Sequence, residues 1–120
     1  MTAPDRETIF AAAVRILLDV DRVVTVHYRD GTVSVQFPTT RRLAEHLGVP
    51  HYYVLPYCAE MERDGLIRRV ERVGISTTPA GTRLLLGLMS SSHLTEAEAV
   101  IGGATFRELL KASGLKDVDR

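Results

Sequence analysis

Residues 41–69 read RRLAEHLGVPHYYVLPYCAEMERDGLIRR, and this stretch decides the fold. Thr39 or Thr40 offers a hydroxyl to cap a short helix through Leu47, and Gly48 can end it in the left-handed conformation that a helix stop favours. Leu43, Ala44 and Leu47 form the buried face of that helix. After the turn, Val54, Tyr57, Cys58 and Met61 recur at i, i+3, i+4 and i+7. That spacing places them on one side of a second helix ending near Gly65. The other side carries Tyr52, Leu55, Pro56, Ala59 and Arg63. Pro56 lies inside this helix, removes a hydrogen bond to Tyr52 and should bend the chain.

Reading onward, Leu66 and Ile67 lead into a strand with Arg68, Arg69 and Arg72, Gly74 makes a tight tip, and residues 75–78 return. Pro79 suits the first position of a helix, where its missing N–H has no partner to lose, so Thr78 is the expected cap of a helix over 80–89. Leu84, Leu85, Leu86 and Leu88 give that helix an apolar surface wide enough to need another helix against it.

Reading backward, Ile9, Phe10, Ala13, Val14, Ile16, Leu17 and Val20 follow a helical period over 5–21. Pro4 and Asp5 suit its start. The period then changes to two in VVTVHYRDGTVSVQF, residues 23–37, around Asp30-Gly31, a strong signal for a two-residue hairpin turn. If Arg29 pairs with Thr32, then Tyr28 faces Val33, Val26 faces Val35 and Val24 faces Phe37, so turn chemistry and apolar pattern select one register. The hairpin is either scaffold or, at its tip, a contact for DNA or a partner.

Beyond Ser90, Ser91 and Ser92, Thr95 with Glu98 and Thr105 with Glu108 form two capping-box patterns separated by Gly102-Gly103. A helix broken or kinked between 95 and 113 is expected, with Val100, Ile101, Phe106, Leu109 and Leu110 packed on the first helix or across a dimer interface. Gly114 ends it, and the charged tail is expected to fray. The chain thus divides into an N-terminal helix for core or dimer packing (1–22), a β-hairpin (23–38), a helix-turn-helix core with its strands (39–89) and a C-terminal helical segment (90–120). The fold class is mainly α with a small β component.

With 120 residues, 45% of them hydrophobic, one small domain is expected, with a modest stability margin that a self-associating surface would extend. No apolar run is long enough to cross a membrane and no signal-like leader opens the chain, so a cytoplasmic location without membrane contact is expected. Cys58, alone, cannot form an internal disulfide and fits a helix interior. Fifteen basic residues balance fifteen acidic ones, which excludes a polycation that coats nucleic acid indiscriminately. A specific reader stays open, because local charge placement governs phosphate contact.

The pattern LAEHLGV (43–49), then Val54, Tyr57, Met61 and Glu62, then DGLIRR (64–69), then TTPAG (77–81), resembles the winged-helix transcription regulators of the MarR and PadR type. Members share a Leu-Ala pair before Leu-Gly-Val, a recognition helix ending in Leu-Glu, a Gly-Leu-Ile/Val-Arg segment and a Leu-Thr-Pro-x-Gly after the wing. The resemblance implies a winged helix-turn-helix with an extra hairpin and flanking dimerisation helices. It also implies a homodimer that binds double-stranded DNA operators, as a rule repressing transcription. Carried onto this chain, it places His51, Tyr52, Leu55 and Pro56 on the DNA-facing side of the recognition helix. Arg68, Arg69 and Arg72 fall on the wing strands and Arg41 and Arg42 at the start of the preceding helix, beside phosphates.

The residues themselves leave a choice. Tyr52, Leu55 and Pro56 cannot make bidentate contacts to base edges, and six basic residues face five acidic ones between Arg41 and Val73. An exposed tyrosine beside Leu and Pro also suits a protein interface, so the alternative is a winged-helix association module without base readout. Arg68, Arg69 and Arg72 either hold phosphates or lie solvated on their strands. Arg41 and Arg42 either hold phosphates at a helix N-terminus or bridge to Glu45. Tyr53 is expected between the two helices. His46, His51 and Cys58 form no tight ligand pair, and His27 falls on the polar side of the hairpin, so neither metal nor cofactor is expected. No phosphate-cradling Gly loop, nucleophile elbow or paired-carboxylate constellation is present, and no enzymatic activity is expected.

Overall fold

In the computed structural model, which describes residues 5–72 and 74–115, the side chain of Asp5 caps α1 (Arg6–Arg15) by accepting the Thr8 N–H. The expected helix start at Pro4 and the charged tail from 116 onward lie outside the described residues. The helical period holds as far as Arg15 and then widens into a π-helical turn, Ile16–Asp21, closed by Arg22 in the left-handed region. The wider turn shifts the phase of the side chains. Leu18 is fully buried, whereas Val20, expected on the apolar face, is 60% exposed.

The hairpin has the expected turn. Asp30 and Gly31 both have positive φ, as the two-residue turn that matches strand twist requires. β1 (Val26–Arg29) pairs antiparallel with β2 (Thr32–Phe37), with Arg29 opposite Thr32, Tyr28 opposite Val33 and Val26 opposite Val35. Val24 lies outside the ladder. Burial is one-sided along the pair: Val33, Val35 and Phe37 are buried, while Tyr28 is 65% exposed. β1 therefore overhangs the core.

Thr39 caps α2 (Thr40–Leu47) by accepting the Arg42 N–H, and Gly48, at positive φ, ends it. α3 (His51–Arg63) is continuous through Pro56, and its Val54, Cys58 and Met61 are buried. Tyr57 is only half-buried. β3 (Ile67–Val70) and β4 (Gly74–Thr77) pair antiparallel, and β4 also pairs with β2, which gives the order β1-β2-β4-β3. Arg72, expected on a strand, lies in the turn between β3 and β4 with φ 69°.

Thr78 caps α4 (Pro79–Ser92), which runs past the expected end at residue 89. Gly81 is required here: a Cβ at this position would meet the Leu66 carbonyl oxygen at 1.8 Å. α5 (Leu94–Ile101) and α6 (Gly103–Ala112) are separated at Gly102, as the glycine pair predicts. Neither capping box forms. His93 and Gly102 occupy the cap positions without a side-chain bond, because α5 starts before Thr95 and the break at Gly102 starts α6 before Thr105. α5 packs on α4 and the π turn, and α6 on α5 and β2. The fold is mainly helical with a small antiparallel sheet, and Phe10, Phe37, Leu43, Met61, Leu86 and Phe106 from all its segments join one core.

A buried relay ties the sheet to α4. In the two-residue hairpin, Val33 and Val35 turn their backbone groups away from β1 and toward β4, but β4 pairs with β2 only at Gln36 and Phe37. Hydroxyls take over where the ladder stops. The Val35 N–H donates to Thr77 Oγ1 at 2.9 Å, Thr77 and Thr82 Oγ1 are 2.7 Å apart, and Thr82 Oγ1 donates to the Val33 carbonyl at 2.8 Å. Since the carbonyl can only accept, the single proton of Thr82 goes to it, and Thr77 must donate to Thr82.

Candidate nucleic-acid interface

The start of α3 is held against the start of α2. His51 Nε2 and Thr40 Oγ1 form a hydrogen bond of 2.7 Å, so His51 is half-buried and faces α2 rather than projecting freely. Thr40 also borders an open cleft of about 530 Å³, together with Thr39, Arg69, Arg72 and Gly74. The cleft brings the N-terminus of α2, where backbone N–H groups and the helix dipole favour anions, beside two guanidinium-bearing residues of the β3–β4 hairpin. Its chemistry suits a phosphate held between a helix end and arginines.

The outer face of α3 adjoins this cleft through the His51–Thr40 contact. Tyr52 is 67% exposed and Leu55 and Pro56 are exposed beside it, as the helical spacing predicts. Tyr53, expected between the helices, is exposed as well and stacks edge-on against Tyr52, with ring centroids 5.1 Å apart. Val54 of α3 and Leu43 and Ala44 of α2 are buried in the core instead.

The arginines expected at one surface divide into three environments. Arg42 forks onto Asp21 with two bonds of 2.7 Å, Nη1 to Oδ2 and Nη2 to Oδ1, rather than reaching Glu45 or standing free. That guanidinium holds the Asp21 carboxyl below the ordinary carboxylate value of 3.8. Arg69 faces Glu62 at 3.6 Å, a long contact between half-exposed groups that leaves the arginine able to turn into the cleft. Arg41 and Arg72 are exposed and enter no ion pair among the described residues.

Arg68 belongs elsewhere. It pairs with Ser76 across the sheet, whereas Arg69 pairs with buried Ile75, so the two arginines point to opposite faces of β3. The cleft residues Thr39 and Thr40 escaped the sequence reading as ligands; their hydroxyls were read only as caps. Cys58 is buried and its thiol is pushed up to about 11 by desolvation, which leaves it protonated and unreactive in the core.

No protein-family model and no curated protein matches this chain. Among the described residues no cluster of His, Cys, Asp or Glu could hold a metal ion, and no helix is long and apolar enough to cross a membrane.

Proposed function

We propose that this protein is a sequence-specific double-stranded DNA-binding regulator of transcription, a repressor acting as a homodimer, built on a winged helix-turn-helix. The order α1, β2, α2, α3, β3, β4, with β2 beside β4, supports the winged-helix reading, with α3 as recognition helix and the β3–β4 hairpin as wing. The observation that carries the function is the cleft in which Thr39 and Thr40 meet Arg69 and Arg72. It offers one phosphate site between the α2 N-terminus and the wing, and the His51–Thr40 bond fixes the outer face of α3 next to it. Phosphate contact there would orient α3 in the major groove, with Arg41 adding charge at the start of α2. The role is binding, not catalysis.

Exposed apolar side chains at the end of the π turn and along β1 support a second copy. Val20 and Val23 are 60% and 59% exposed, and Tyr28 overhangs the core beside half-buried Val24 and Val26. Selection from a random duplex pool tests the reading. The expected product is a pseudo-palindrome with half-sites about one helical turn, ~34 Å, apart. A pool that stays unenriched would exclude specific duplex readout.

The exposure of Tyr52, Tyr53 and Leu55 supports one other reading, an association module whose α3 face docks a protein. In that case substituting Tyr52 by Ser would abolish partner binding while duplex DNA failed to compete for the same face.

A further inference from the structure

A second cationic surface lies on the sheet face opposite the core. Register places His27 beside Ser34 and Ser76 beside Arg68, and the Gln36–Ser76 pair aligns the two sets on one face. With Arg29, two residues along β1 from His27, these side chains line a concave cavity of about 350 Å³. The architecture is that of a cradle. β1 and β3 are the sheet edges and carry the arginines, while the central strands β2 and β4 contribute Thr32, Ser34 and Ser76 between them.

The electrostatics are as selective as the shape. No Asp or Glu lines the cavity. Arg6, Arg15, Arg42 and Arg69 each face a carboxylate, whereas Arg29 and Arg68 enter no ion pair among the described residues. In a chain with equal numbers of acids and bases, this leaves positive charge unopposed around a concavity. Ser34 and Ser76 make no side-chain hydrogen bond among the described residues, so their hydroxyls are free to donate into it.

We propose that this cavity binds a phosphate ester, with Arg29 and Arg68 closing on the phosphoryl oxygens from the two sheet edges and Ser34 and Ser76 donating from the floor. A carboxylate has two oxygens and is satisfied by one guanidinium; a phosphate monoester carries about −1.5 to −2 charge and three acceptor oxygens, which matches two guanidiniums and two hydroxyls. The volume falls at the small end of ligand sites, roughly 300–1,000 Å³, and accommodates a phosphorylated metabolite of sugar-phosphate size. The backbone of a duplex offers phosphodiesters, each with a single charge and two non-bridging oxygens, and is the less complete match for the same groups. The site lies on the sheet face that Arg68 shares, not the one Arg69 shares, and does not depend on the DNA-binding reading.

The test uses amide-resolved NMR titrations of the full chain with ribose 5-phosphate, with ribose as the neutral control and with a short blunt duplex lacking terminal phosphates. Saturable shifts at Ser34 and Ser76 with ribose 5-phosphate and none with ribose are expected, weakened at least about tenfold by the double substitution Arg29→Gln and Arg68→Gln. Shifts at those amides with the duplex alone, weakened by the same substitutions, would support the phosphate site and assign its source to DNA. Absence of shifts with both probes, equal shifts with ribose, or unaltered binding in a folded double variant would overturn the proposal. Retained ribose 5-phosphate binding with no duplex binding would instead count against the DNA reading alone.

Discussion

Thr77 and Thr82 place their hydroxyls 2.7 Å apart in the core, and both side chains are fully buried. They are the middle of the relay that runs from the Val35 N–H to the Val33 carbonyl. Replacing Thr82 by Val keeps the shape but strands the Val33 carbonyl and the Thr77 proton without partners. Urea unfolding should show a loss of about 1–3 kcal/mol, while Thr82→Ser, which keeps the hydroxyl, should cost less. Equal losses for both variants would mean that packing rather than the relay is what matters at this position.

Gly81 tests a different constraint. Its φ is ordinary, and the need for glycine comes from the close pass of α4 over Leu66. Gly81→Ala should destabilise by on the order of 3 kcal/mol, because a carbonyl in the backbone cannot swing aside as a flexible side chain would. An unchanged thermal midpoint would refute that crossing.

The Arg42–Asp21 fork predicts a pH dependence. Its carboxyl is depressed in the folded state, so its contribution is fully present above the ordinary value of 3.8 and is lost as pH falls through the lower folded value. The stability difference between the wild type and Asp21→Asn should therefore be constant near neutrality and shrink below that range. A difference that grew on acidification would have the wrong sign.

Much of this structure is legible in short-range pattern. The α2–Gly48–α3 unit, the Asp30-Gly31 register, the Thr78-Pro79 helix start and the Gly102 break follow from spacing, caps and turn chemistry acting within a few residues. The divergence of Arg68 from Arg69 was legible too, since neighbours on a strand face opposite ways. What escaped depends on packing between distant parts of the chain. Arg42 is taken by Asp21 across 21 residues, and His51 by Thr40 across 11. The π turn that exposes Val20 and buries Leu18 changes a period that sequence reading must assume constant. Tyr53 was misplaced for a related reason: its helical position allowed either face, and the packing of α3 on α2 buries Val54 and leaves Tyr53 exposed.

The most direct test of the DNA reading is the salt dependence of duplex binding by the wild type and by Arg72→Asn. Asn tolerates the positive φ of that turn, so the substitution removes charge with little backbone strain. With an operator from the selected pool, affinity should fall steeply with salt, and the variant should bind more weakly with a log–log slope smaller by about 1, one lost phosphate contact. Wild-type affinity and slope in a folded Arg72→Asn protein would contradict a phosphate site in the cleft between the α2 N-terminus and the β3–β4 hairpin.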